Sequence, residues 1–411
     1  MFTLKRRVMQ TAAVMCAAVL LQQMPADAQS LLGDCNADGY VDAADADALQ
    51  KWLLCAESLP DWQAADWDQN GRLNAADLSG IKQMLLAAPK RIVPVSDIDG
   101  LFAAVRNALP GDVIRVAPGT YDYTGYWGAQ KIDSAASGTE QAPIVLTAAD
   151  PEQPPVLTGS APENGYVLHI QGDHWILDHL CVTNAQKGIV LDHSSHSVIR
   201  YCEVCNTGAE AIALRDGSSD CTVSHCNIHH SGLVSPGYGE GVYIGSAVST
   251  TGFDYHCDRN RVSDCVFREI AAEHVDVKEF TTGTEICGCT FFGDGMTGEN
   301  YAGSFIDIAG NDCYVHDNIG YRNGNPKIAA AFEIHNQAEG WGYHAVFADN
   351  TLYMDQEYGA EQTSRRMYVV DGWFSDFSVR HNLVDYGSGL IPAAPEHYNS
   401  DYVTFLPTDR G

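Results

Sequence analysis

From residue 177 onward the chain repeats one arrangement of apolar and polar positions. The unit is an apolar residue, two residues, a special residue, one residue and a second apolar residue. It occurs at "LDHLCV" (177–182), "IRYCEV" (199–204), "VSHCNI" (223–228), "VSDCVF" (262–267), "ICGCTF" (286–291), "VHDNIG" (315–320), "FADNTL" (347–352) and "VRHNLV" (379–384). After most units comes a strictly alternating segment, such as "GIVLD" (188–192), "AIALR" (211–215), "GVYIG" (241–245), "HVDVK" (274–278), "FIDIA" (305–309) and "AFEIH" (331–335). Alternation of this kind predicts a strand with one buried and one wet face. Short units that recur and bury their apolar faces only against neighbouring copies predict a solenoid, in which equivalent positions stack into ladders. One ladder is Leu180, Cys202, Cys226, Cys265, Cys289, Asn318, Asn350 and Asn382. Stacked Asn side chains can hydrogen-bond along the axis, and Cys can fill the same slot as a small apolar group. These cysteines are expected in the core, although neighbours in a ladder stand close enough that disulfides stay open.

The alternating strands define what faces outward. Between the inward pairs Ile189/Leu191, Ile212/Leu214, Val242/Ile244, Val275/Val277, Ile306/Ile308 and Phe332/Ile334 lie Val190, Ala213, Tyr243, Asp276, Asp307 and Glu333. Parallel strands are ~4.8 Å apart, so Asp276, Asp307 and Glu333 would form a carboxylate column. The next outward row holds Asp192, Arg215, Gly245, Lys278, Ala309 and His335, and the row before the pairs includes Gly241, His274 and Phe305. Stacked carboxylates repel unless a cation or proton sits among them. Beyond residue 100 the lysines are Lys131, Lys187, Lys278 and Lys327, and only Lys278 falls beside this column. The candidate catalytic set is therefore Lys278, Asp276, Asp307, Glu333, His274, His335 and Arg215. Tyr243, Phe305 and Trp341 are candidates for stacking on sugars. The bland reading is a solvated face with weak ion pairs, but long loops such as "HHSGLVSPGYGE" border it and favour a groove.

Ahead of the repeats, "DIDGLFAAVRNAL" is helix-like, with Ile98, Leu101, Phe102 and Val105 on one face. "PGDVIRVAPGTY" and "APIVLTAADPEQPPVLTGS" follow. This opening resembles that of right-handed parallel β-helix proteins, including pectate-lyase-like polysaccharide lyases, over roughly residues 95–390. The resemblance implies a capping helix over the open end of the solenoid. It also implies β-elimination at a uronate, with acidic residues holding a Ca²⁺ in the groove and Lys278, or an Arg such as Arg215, as base. Two alternatives stay open: a glycoside hydrolase using Asp276 and Glu333 as an inverting pair, ~9.6 Å apart across two strand spacings, and a non-catalytic carbohydrate-binding β-helix.

The N-terminal part differs. Residues 34–45, "DCNADGYVDAAD", and 66–77, "DWDQNGRLNAAD", are twelve-residue loops with oxygen ligands at the spacing of EF-hand-type Ca²⁺ loops. The ligands would be Asp34, Asn36, Asp38, Tyr40 (carbonyl), Asp42 and Asp45, then Asp66, Asp68, Asn70, Arg72 (carbonyl), Asn74 and Asp77. Position 12 is Asp rather than Glu, and each loop is followed, not preceded, by a helix. The pattern resembles the dockerin module over residues 31–88. That implies two Ca²⁺ ions and docking to a cohesin of a scaffold protein, with Ala43, Ala44, Ala75 and Ala76 in contact. Cys35 and Cys55 could pair.

The 411 residues carry a net charge of −29, which argues against a nucleic-acid partner. Residues 1–28 read as a secretory signal, with Lys5, Arg6 and Arg7, a short apolar core and Ala26-Asp27-Ala28. No later segment is long and apolar enough to span a bilayer. Of the 13 cysteines most fall on the ladder or stand alone, and the lone CxxC spacing, Cys202-Glu203-Val204-Cys205, begins at a ladder position, so zinc is not expected. The expected organisation is signal 1–28, dockerin 31–88, linker 89–94 and β-helix 95–411. The expected protein is mainly β, secreted and cellulosome-associated, and acts on a plant cell-wall polysaccharide.

Overall fold

The computed structural model describes residues 32–37, 41, 43–56, 58–86, 91–124, 131–355 and 367–407. The signal segment 1–28 and the ligands Asp38, Tyr40 and Asp42 lie outside the described residues. The chain divides into two compact units, Met1–Ala88 and Pro89–Gly411.

In the first unit helix α1 (Ala43–Leu53), a short α2 (Trp62–Ala65) and α3 (Ala75–Leu86) pack around Cys35, Ala46, Leu49, Ala65 and Ile81. Asp61 caps α2, its carboxylate accepting the Gln63 and Ala64 amides. Cys35 is buried and its thiol donates to the Gly33 carbonyl at 3.3 Å, while Cys55 is exposed. The two are free thiols, so the pairing left open above does not form.

The second unit is a parallel β-helix. Among the described residues it has three sheets of 12, 10 and 11 strands, and nearly every neighbour pair is parallel. Its first strand is Arg91–Val95, paired in parallel with Asp112–Val116. The segment expected to be a linker, 89–94, is therefore largely sheet. Pro94 is tolerated because this is the edge of the 12-stranded sheet, where one side needs no amide donor. Helix α4 (Ile98–Arg106) follows, N-capped by Asp97 to the Gly100 amide at 2.7 Å, and buries Leu101, Phe102 and Val105.

The ladder is continuous. Asn318 Nδ2 donates to Asn350 Oδ1 at 3.0 Å, and Asn350 Nδ2 to Asn382 Oδ1 at 2.9 Å. The Cys289 amide donates to Asn318 Oδ1, which joins the thiol and amide halves. Cys202, Cys226, Cys265 and Cys289 are buried, and each thiol donates to a backbone carbonyl. All twelve described cysteines are free. The core is one continuous apolar stack, because Ile189, Ile212, Val242, Val275, Ile306 and Phe332 occupy one register position on successive coils.

Candidate active site

The site lies on the outer face of the 10-stranded sheet. Register pairs Tyr243 with Asp276, Asp276 with Asp307, Asp307 with Glu333, and Glu333 with Asp371. The carboxylate column is thus four residues long. Asp371, on the strand Tyr368–Trp373, extends it and accepts from Asn399 Nδ2 at 2.6 Å.

Cations answer these acids. Lys278 Nζ stands 2.5 Å from Asp276 Oδ2 and 5.3 Å from the Tyr243 ring centre. His335 Nδ1 is 2.9 Å from Asp307 Oδ1. Burial opposes the imidazolium, but Asp307 and then Asp276 outweigh it and hold His335 at about 9. Burial also disfavours the Lys278 charge, yet Asp276, Asp307 and Tyr243 raise its pKa well above the usual value. Burial raises Asp276, Lys278 lowers it and Asp307 raises it, leaving it at about 6.

A second acidic group sits beneath the face. Glu240, Glu273 and Asp276 are all buried, and their carboxylate oxygens converge within 4.8 Å. Glu240 Oε2 and Asp276 Oδ1 have no hydrogen-bond partner. Burial, then Asp276 and Glu210, push Glu240 up to about 8. Burial, then Asp276 and Asp307, drive Glu273 well above the carboxylate range. The two glutamates stack because the carbonyls at 240 and 273 continue the ladder into the next coil, accepting the Ala211 and Gly241 amides. The sequence signal is a thrice-repeated spacing, Glu210-Ala-Ile, Glu240-Gly-Val and Glu273-His-Val, with Glu two residues before the first inward position.

Three expectations from the sequence are corrected. His274 and Phe305 do not face outward but are fully buried. His274 packs edge-on against Phe267, Phe291 and Phe305, its Nε2–H donates to the Phe292 carbonyl at 2.9 Å, and burial lowers it to about 4. The row just before each strand bends into the core, so alternation cannot be extended through it. At Gly241 an added Cβ would strike the Phe267 ring at 2.7 Å, which shows the same inward direction. Arg215 is no free base. It makes a bidentate pair with Asp192 at 3.0 and 2.9 Å, and Asp192 also meets His169 Nε2 at 2.8 Å. Trp341 joins an aromatic cluster with Phe280, 5.2 Å between ring centres, and His256. Tyr243 is half-buried, and its hydroxyl accepts from the Ala247 amide at 3.1 Å.

In the N-terminal unit the Asp66, Asp68 and Asp77 oxygens converge within 4.8 Å. Asp66 accepts the Asn70 and Gly71 amides, and Gly71 takes φ +76° so the loop can turn between ligands. In the first loop the Asn36 amide donates to Asp45 Oδ1 at 3.0 Å. Ala44, Ala75 and Ala76 are exposed.

Residues 32–86 match the family model of the dockerin type I domain. No curated protein matches the chain. An alginate lyase from Paenibacillus sp. str. FPU-7 is 38% identical over 77% of this chain and 99% of its own length, with a TM-score of 0.69. The chain belongs to the family of this lyase. The polysaccharide lyase also shares its fold with the pectate lyase Pel9A, at 16% identity over 77% of this chain and 80% of that one, TM-score 0.54. A rhamnogalacturonan lyase gives 14% identity, 72% and 80% coverage and a TM-score of 0.50. The lyase is thus a parallel β-helix enzyme with a dockerin, the module that implies attachment to a cohesin.

Proposed function

We propose that the lyase cleaves a 4-linked uronate polymer by β-elimination on the Tyr243–Lys278–Asp307–His335 face, while held through its dockerin to an extracellular scaffold. The observation that carries the reading is Lys278, a partly exposed amine set among groove carboxylates beside a phenol. The neutral Lys278 amine takes the C5 proton. The electron pair forms the C4–C5 double bond, and the C4–O bond breaks. Burial and then Asp276 hold the Tyr243 phenol in its protonated form, so it can give the departing oxygen its proton. His335, charged near neutral pH, offsets the negative charge that builds on the uronate carboxylate.

The oxygen-only set Glu240, Glu273 and Asp276, with two orphaned oxygens, fits a hard cation such as Ca²⁺ better than the outer column does, where Lys278 and His335 already neutralise Asp276 and Asp307. Bound there, Ca²⁺ would supply positive charge that offsets the carboxylate field on Lys278. The dockerin loops would hold two more ions.

The full chain is incubated with polymannuronate, polyguluronate and polygalacturonate, with and without Ca²⁺. Unsaturated uronate ends, read by ultraviolet absorbance, support the reading. New reducing ends without unsaturation would mean a paired-carboxylate hydrolase. Retention of polymer without cleavage would mean a binding module.

A further inference from the structure

We propose that Cys181, Glu203, Cys205 and His229 form a binding site for a borderline transition-metal ion such as Zn²⁺, away from the groove on the outer face of the 11-stranded sheet. They come from three neighbouring strands, Cys181–Ala185, Glu203–Thr207 and Asn227–His229. Val182, Val204 and Ile228 are buried in the core, so the alternate residues face outward. Register sets Cys181 beside Glu203, and Cys205 beside His229. The Glu203 carboxylate, Cys205 Sγ and a His229 ring nitrogen converge within 4.8 Å. Cys181 opens its strand one coil over, beside Glu203 and two residues along from the partner of Cys205, and so faces the same side.

The surroundings are organised for a thiolate and a coordinating imidazole. Asn206 Nδ2 donates to Cys205 Sγ at 3.3 Å, and Thr183 Oγ1 is 3.5 Å from the same sulfur. His229 Nε2 is 3.0 Å from Glu203 Oε1, while His229 Nδ1 is 2.8 Å from His230 Nδ1. A neutral imidazole has one N–H and cannot donate at both nitrogens. A metal replacing the Nε2 proton leaves Nδ1–H to donate to His230, the orienting hydrogen bond typical of metal-bound histidines. Two sulfurs, an imidazole and a carboxylate suit Zn²⁺ rather than Ca²⁺. Binding releases the two thiol protons and any Nε2 proton.

A disulfide is the competing use of the two cysteines. Cys181 and Cys205 are offset by one strand and two residues, which puts their Cα atoms ~8 Å apart from standard strand dimensions. That exceeds the ~7 Å a disulfide can bridge. A second group of the same residue types, Glu285, Cys287 and His316, lies on the 12-stranded sheet. There Arg261 Nη2 donates to Cys287 Sγ at 3.1 Å and Nη1 is 3.4 Å from Glu285, so a guanidinium already supplies the positive charge. The basic neighbour of His229, Arg268, instead stacks 3.8 Å from the Phe292 ring centre. The ligands come from three coils; of the one CxxC spacing, Cys202 is buried in the ladder and only Cys205 reaches this face, so spacing along the chain does not reveal the set.

The test is Co²⁺ titration of the full chain, reduced with a non-thiol reductant and with Ca²⁺ present to fill oxygen sites. One equivalent should bring up sulfur-to-cobalt charge-transfer absorption and strong tetrahedral d–d bands, both erased by Zn²⁺. Cys205→Ser should cut the charge-transfer intensity to about half or less and weaken Co²⁺ binding, the Cys181→Ser/Cys205→Ser double variant should abolish the band, and both should leave lyase activity unchanged. Glu203→Gln, at a roughly half-exposed side chain, should keep the band and weaken Co²⁺ binding at least ~10-fold. Cys287→Ser should change nothing. No charge-transfer band in the wild type overturns the proposal, as does a band that survives the Cys181→Ser/Cys205→Ser double variant or one lost in Cys287→Ser.

Discussion

Replacing Glu240 with Gln isolates the electrostatic cost of the buried carboxylates Glu240, Glu273 and Asp276. Glu240 is displaced from an ordinary 4.5 to about 8, mainly by burial and then by Asp276. An acid whose folded pKa is raised binds its proton more tightly folded than unfolded. Stability is therefore undiminished below about 4.5 and falls as pH climbs to about 8, where the penalty is complete. At ~1.4 kcal/mol per tenfold change in proton affinity, the ceiling on that penalty is ~5 kcal/mol. Gln keeps the shape and removes the charge. Without calcium, Glu240→Gln should match the wild type in mild acid and exceed it above pH 8 by up to that ceiling. Urea or thermal unfolding of the full chain, followed through the β-helix transition, reads the difference. Saturating Ca²⁺ should narrow or reverse it, because the wild type keeps a ligand the variant lacks. A variant that is less stable than the wild type by the same amount in acid and in base, without calcium, would refute the reasoning.

Four further outcomes follow from the same geometry. Asn350→Ala removes two donated and two accepted ladder bonds and should cost about 3 kcal/mol or more in denaturant unfolding, since buried partners are left unpaired. His335 is raised to about 9 by Asp307 and Asp276 against the pull of burial. Its stabilisation is full below its ordinary 6.5 and lost as pH rises to about 9, and His335→Gln should flatten that limb. On the proposed mechanism Lys278 loses a proton held by Asp276 and Asp307 before it acts, so the lyase rate should rise with pH and Asp307→Asn should move the rising limb of kcat/KM toward lower pH. Asp77→Ala should remove one calcium equivalent by calorimetry, because Asp77 accepts the Asn74 amide at 2.8 Å and faces Asp66 and Asp68.

The coil register is readable from the chain because each strand carries two inward apolar residues, so a one-residue slip would expose them all. That is why the apolar pattern alone aligns Asp276, Asp307, Glu333 and Lys278. His274 and Phe305 mislead because alternation stops where the backbone bends into the strand, and both turn into the core. Asp371 escapes the pattern because residues 356–366 interrupt the short repeat and hide which coil its strand joins. Arg215 looks available only while Asp192 and Arg215 are treated as a column; the two side chains instead form a bidentate pair. The Glu240–Glu273–Asp276 cluster needs side-chain directions from two rows at once. Residues 89–94 read as a linker because prolines and two adjacent basic residues hide the start of a short edge strand, Arg91–Val95.

On the proposed mechanism Lys278 is the group that takes the C5 proton. The direct measurement is the steady-state rate of unsaturated-product formation by Lys278→Ala on whichever uronate polymer the wild type cleaves. Loss of a general base predicts a fall in kcat of roughly 10²- to 10⁴-fold, with folding and cohesin binding intact. A variant that forms unsaturated ends at close to the wild-type rate would contradict it.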